Sequence, residues 1–239
     1  MASLVDSLTR SIFNKATVIY KQQVAPHVYH LRIRSEALKG RHLVAGEHLR
    51  LFVGIGRDTT LDSKVRTYSI WDHDSTQGVA DLAVCTHSSG IGSRWITEVA
   101  AGEDIYYMGP KGKLVIDTNA GSHLLISDPS ALSHMYAIRR AIPPDAQVAG
   151  ITYSSDVSDH YADVDGSRPF DFMLLQYDPT ESLIEKSNSL RHLLSQKTTV
   201  YIAGDARVCK SLSRYFRQNW PAEEVRSKGF WMPGKTGMD

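Results

Sequence analysis

Cysteine is scarce in this chain of 239 residues: Cys85 and Cys209 stand far apart, and neither belongs to a C-x-x-C pair. That excludes a disulfide framework, argues against a zinc site and suits a reducing cytoplasm. Long apolar runs are missing too. No stretch approaches the ~18–20 apolar residues that span a bilayer, and the opening MASLVDSLTR has neither the basic nor the apolar segment of a signal peptide. The expectation is a soluble, cytoplasmic protein with no membrane insertion. Net charge is nearly absent. With 27 Lys and Arg against 26 Asp and Glu the balance is +1, and the basic residues are dispersed, so nothing draws the chain to nucleic acid. The histidines show no metal spacing, and no repeat or low-complexity tract is present. His27 and His30, three apart on a predicted strand, face opposite sides and cannot share a metal.

What is present is ordinary for a globular protein: 42% apolar and 22% charged residues. The length suits one large domain or two small ones. In the first half, short β-branched or aromatic segments at 16–24, 28–34, 47–53, 65–71, 80–86 and 104–108 are separated by Gly, Asp and Ser. Six such strands with one helix near 93–99 predict a small antiparallel barrel. The second half alternates. Strands at 123–127, 147–153, 171–176, 198–203 and 229–231 are interleaved with helices near 131–141, 181–194 and 207–220. That rhythm predicts a parallel sheet wound by crossovers. A polar stretch at 117–121 sets the expected boundary, giving domains 1–119 and 120–239. Residues 154–167, rich in Asp and Ser, read as a loose loop.

Two motifs carry the chemistry. Arg66-Thr67-Tyr68-Ser69 ends an alternating strand, and Gly90-Ile91-Gly92-Ser93-Arg94-Trp95 opens the following helix. Successive strands of a barrel are neighbours, so both can reach one ligand. A helix N-terminus behind glycines favours a pyrophosphate, and Arg66, Tyr68 and Ser69 suit its phosphates and a flavin ring. Each piece has a plainer reading as well. Tyr68 can be core and Arg66 solvated, and Ser93 can simply cap the helix. Thr86 and His87, just after a barrel strand and before the glycine turn, complete the expected cofactor set, with a structural role the alternative for His87. Gly109-Pro110-Lys111-Gly112 reads as a tight turn without chemistry. Asp205 follows a strand at the carboxyl edge of the wound sheet, where ligands bind. Capping the next helix, with Gly204 making the turn, explains it equally well.

With these motifs in order, followed by Tyr201-Ile202-Ala203-Gly204-Asp205-Ala206-Arg207, the chain is similar to the ferredoxin–NADP reductase superfamily. More narrowly it resembles the siderophore-interacting proteins, flavin-dependent ferric-siderophore reductases. Gly229-Phe230-Trp231, the tail Gly234-Lys235-Thr236-Gly237 and the turn at 127–132 carry that narrower likeness. The resemblance implies an N-terminal six-stranded antiparallel flavin-binding barrel and a C-terminal nucleotide-binding-like parallel sheet. It implies a noncovalent FAD held by Arg66, Thr67, Tyr68, Ser69, Gly90, Gly92 and Ser93. Asp128, Ser130 and Asp205 would face a nucleotide, and Arg50 and Lys235 would meet an anionic ferric siderophore. NADH, NADPH or ferredoxin would supply electrons to a protein expected to be a monomer, with no residue needed as acid or base. Three departures stand out. Asp205 replaces a usual Glu, Met232 and Pro233 replace a frequent Arg, and residues 127–132 lack both G-x-G-x-x-G and Gly-Thr-Gly. A general flavin reductase serving a protein partner, and a flavin- or siderophore-binding protein without turnover, are the rival readings.

Overall fold

Alternating apolar residues close the first six strands on themselves. The computed structural model describes residues 13–53, 65–86, 90–195 and 197–235. In it β1 (Asn14–Ala25), β2 (Val28–Arg34), β3 (His48–Phe52), β4 (Val65–Asp74), β5 (Val79–Cys85) and β6 (Asp104–Lys111) form a closed barrel. Its order is β1-β2-β5-β4-β3-β6, with every pair antiparallel. Every second residue points inward. Leu31 and Ile33, Leu49 and Leu51, and Ala80, Leu82 and Val84 fill the interior together with Ile105 and Tyr107. Helix α1 (Ile91–Glu98) adds Ile91 and Ile96 to that core. Fully burying an aliphatic side chain of this size contributes about 1.5–3 kcal/mol.

Among the described residues of the barrel, Asp81 on β5 is a buried charge. His30 Nε2 lies 2.6 Å from its Oδ1, and Arg32 donates at 2.7 Å and 3.0 Å to its two oxygens. Burial alone would raise this carboxyl's pKa, but the hydrogen bonds from His30 and Arg32 hold it below its ordinary value.

The second unit is a five-stranded sheet of β7 (Ser122–Ser127), β8 (Gln147–Ser154), β9 (Asp171–Leu174), β10 (Thr198–Asp205) and β11 (Ala222–Trp231). The order is β11-β10-β7-β8-β9 and all pairs are parallel. Helices α2 (Leu132–Ala141), α3 (Thr180–Leu190) and α4 (Ala206–Asn219) supply the crossovers. The central strands β7 and β10 are buried along their whole length, as interior parallel strands are. On α4 the apolar stripe Val208, Leu212 and Phe216 lies in the same core as Ile126, Ile151 and Ile202.

The chain divides into two compact units, the second beginning at Leu114. Residues 114–117 are tied to the second sheet: Arg226 donates to the Val115 carbonyl, and the Asp117 N–H donates to the Tyr201 hydroxyl. Three local expectations are corrected. Gly109, Pro110 and Lys111 continue β6 rather than leaving it as a turn, and Lys111 pairs with His48. A glycine stands at 109 because φ is +105° there and a Cβ would lie 3.0 Å from the His48 carbonyl oxygen. The closing strand spans ten residues, not three. The segment read as a loose loop is pinned by buried Asp159, Tyr161 and Asp163, with Asp163 paired to Arg140.

Candidate functional site

The two sequence motifs meet on the barrel. On β4, Arg66 and Tyr68 stand in register with core residues Leu51 and Leu49, so they share the face against which α1 packs. Gly92 is the point of closest approach. A Cβ there would lie 2.5 Å from the Tyr68 hydroxyl and 3.3 Å from Arg66 Cγ. Any larger residue would push both side chains away from the helix start. Gly90, not Ser93, is the N-cap of α1, and no side chain caps it. Ser93 therefore sits in the first turn, where N–H groups lack an acceptor within the helix. A glycine cap, a guanidinium and a phenol converge at this helix start, a donor set that fits the pyrophosphate and ring of FAD. Tyr68 is further steadied by near-parallel Trp95, with ring centres 6.3 Å apart.

The other face of β4 carries a second row. Thr67 is in register with Arg50 and Ser69 with His48, and on the far side of β3 His48 is in register with Lys111. Ser69, His48 and Lys111 thus run across three strands, with Arg50 one row along. Sequence reading found Ser69 and Arg50 but missed His48 and Lys111. Only the register of β6, hidden behind a Gly-Pro that looks like a turn, reveals them. Thr86 is half-buried at the end of β5, its N–H donating to the His27 carbonyl. His87 lies outside the described residues. Lys235 is exposed in the second unit, its N–H donating to the Met232 carbonyl.

At the carboxyl edge of the sheet the candidates are engaged with one another. One Asp128 oxygen accepts from the Ser130 N–H and hydroxyl, and the other from the Asp205 N–H and the Trp231 indole, all at 2.5–2.9 Å. Burial pushes the Asp128 carboxyl upward in pKa, and these donors partly offset it. Gly204, at φ +133°, leaves room for this carboxylate: a Cβ would lie 2.3 Å from its Oδ2. Asp205 caps α4 by accepting from the Arg207 N–H and pairs with the Arg207 guanidinium. Asp128, Ser130 and Asp205 form one internal network.

A flavin-type site on an antiparallel barrel, joined to a wound parallel sheet, defines a two-domain oxidoreductase of the ferredoxin-reductase kind. Residues 15–116 match the oxidoreductase FAD-binding domain, and residues 120–234 match the siderophore-interacting protein family. The second unit is thus of the siderophore-interacting protein family, and the barrel is of the oxidoreductase FAD-binding kind.

Over 154 residues it is 25% identical to the NADPH-dependent ferric-chelate reductase of Escherichia coli (strain K12), covering 61% of this chain and 58% of that protein. The match therefore spans little more than half of that relative. The siderophore-interacting protein SipS from Aeromonas hydrophila superposes with a TM-score of 0.76 at 22% identity, over 94% of this chain and 93% of the other. A siderophore utilization protein from T. fusca gives 0.75 at 17% identity, over 95% of each chain. These superpositions establish the fold.

Proposed function

We propose that this protein is a cytoplasmic FAD-dependent reductase that delivers electrons to a ferric siderophore and so releases Fe²⁺. The convergence of Arg66, Tyr68 and Gly92 at the start of α1 carries the reading, because it builds a flavin site whose far strand face is lined by Ser69, His48, Arg50 and Lys111. FAD, when bound, supplies two-electron acceptance with one-electron delivery, which matches a hydride donor to an iron acceptor. Arg66 balances phosphate charge, Tyr68 supports the ring, and Gly90 and Gly92 let backbone N–H groups approach the pyrophosphate. Arg50 and Lys111 steer an anionic ferric chelate, an attraction that salt weakens.

Hard oxygen donors hold Fe³⁺ more tightly than Fe²⁺, so one added electron loosens the metal without a protein ligand. The relative's ferric-chelate activity, and the family to which residues 120–234 belong, support this substrate class. Purified FAD-loaded protein would be mixed anaerobically with NADH, NADPH or reduced ferredoxin and then given a ferric siderophore, with flavin absorbance and chelator-trapped Fe²⁺ followed together. Donor-dependent bleaching, then reoxidation with iron release, is the expected result. Bleaching without iron release moves the protein to the general flavin-reductase reading. No bleaching with any donor leaves binding without turnover.

A further inference from the structure

In a doubly wound sheet, ligands bind outside the carboxyl ends of the strands, where the strand order reverses. Here the reversal lies between β7 and β10, so a dinucleotide's pyrophosphate would be expected on the turn that leads into α2. The backbone donors of that turn can be counted one by one. The Ser130 N–H donates to Asp128 Oδ1, and the Ala131 N–H to the Asp128 carbonyl. The Leu132 N–H reaches the Pro129 carbonyl at 3.5 Å. The Ser133 N–H donates to the Tyr161 hydroxyl at 3.0 Å, and that hydroxyl donates in turn to the Pro129 carbonyl at 3.2 Å. Across the crevice, the Asp205 N–H is held by Asp128 and the Arg207 N–H by Asp205.

Tyr161 is itself fixed. Tyr136 donates to its carbonyl at 2.7 Å, the two rings meet edge to face, and its exposure is 2%. From 127 to 133 every residue but Ser130 is buried. The Ser127 hydroxyl has no partner among the described residues, but at 1% exposure it is sealed from any ligand.

We infer that this turn does not seat a dinucleotide's pyrophosphate and that Tyr161 is the residue that excludes it, its hydroxyl occupying the place of a phosphate oxygen at the start of α2. The inference concerns the electron donor and so rests on the reductase reading. A pyridine nucleotide must be held by other contacts, and its pyrophosphate adds nothing to affinity at this turn.

The test uses redox-inert probes on the full FAD-loaded chain: ADP-ribose, which carries the pyrophosphate, and AMP, which does not. Affinities come from calorimetry and contact from backbone amide shifts. The expected result is affinities within threefold, or no binding, with the Ser130 and Ser133 amides unmoved at the highest ADP-ribose concentration. ADP-ribose binding at least tenfold tighter than AMP, with those two amides shifted, would overturn it.

Tyr161→Phe keeps the ring. It should accelerate hydrogen exchange at the Ser133 amide at least tenfold, and an unchanged rate would remove the hydroxyl from its assigned place. Tyr161→Ala, where folded, should recover a tenfold preference for ADP-ribose over AMP, and no gain would overturn the role of Tyr161. Ferric-siderophore reduction by photoreduced protein needs no nucleotide, so its failure would count against the reductase reading alone.

Discussion

The two units each begin a helix behind a strand, and the two helix starts are opposites. At α1 the cap is glycine, which has no side chain to cap with, and a neighbouring Tyr and Arg leave only enough space at Gly92 for a residue without Cβ. At α2 the first turn is roofed by Tyr161 and undercut by Asp128, and each backbone donor has a partner inside the chain. A helix N-terminus whose donors are already taken inside the chain has none left for an anion.

The buried carboxylates differ in the same way. Asp81 in the barrel faces an imidazole and a guanidinium, and its pKa falls. Among the described residues Asp128 in the sheet is bonded by neutral donors, and its pKa rises. Hydrogen bonds to Asp128 do not overcome burial, whereas hydrogen bonds from His30 and Arg32, reinforced by the charge of Arg32, do so at Asp81.

The sharpest way to break this comparison is at Asp81. Asp81→Asn should destabilise the barrel by about 3 kcal/mol, because the buried carboxylate gives up its charge-assisted hydrogen bonds from His30 and the half-exposed Arg32; urea unfolding monitored by flavin release would read it. The pH dependence follows from the sign of the shift. Asp81's contribution is fully present above its ordinary 3.8 and is lost as pH falls through its lower folded-state value. For Asp128 the folded form binds its proton more tightly than the unfolded chain, so acidification from neutral pH favours rather than weakens the sheet at this site.

Gly92→Val comes next. The added side chain displaces Tyr68 and Arg66, and FAD affinity should fall about 100-fold, near 2.7 kcal/mol, with the fold retained by circular dichroism. Asp128→Asn should cost the sheet about 2 kcal/mol by turning an amide N–H₂ toward donors, while FAD binding stays unchanged. Loss of flavin in that variant would show that the two helix starts are not independent.

The smallest effect concerns the two thiols. Cys209 is buried in the sheet unit with its pKa pushed up to about 12, whereas Cys85 is half-buried at the end of a barrel strand. Ellman's reagent at pH 8 should leave Cys209 unmodified until the protein is denatured.

The barrel site was legible because its information is local. Arg66, Tyr68 and Gly92 lie in two short motifs one strand apart, and glycine where a helix begins already signals a close approach. Alternation and helix rhythm likewise disclosed both layers of the fold. The closed edge of the sheet was not legible, since Asp128 meets the Asp205 N–H and the Trp231 indole across 77 and 103 residues. No spacing rule spans such distances. Tyr161 was hidden for a related reason. Its Asp- and Ser-rich setting reads as solvent-exposed loop, and burial came from packing against Tyr136 rather than from any periodicity. Lys111 followed a Gly-Pro pair, and the punctuation outweighed the strand it continues.

One consequence of the Trp231–Asp128 bond is practical. The indole is partly exposed at 41% yet holds the carboxylate with its N–H at 2.8 Å, so its emission is coupled to the charge beneath the switch point. In a background where the other three tryptophans are replaced, Trp231 becomes an optical gauge of whether that crevice is latched. It would let opening of the sheet edge be timed by stopped flow without any ligand or label.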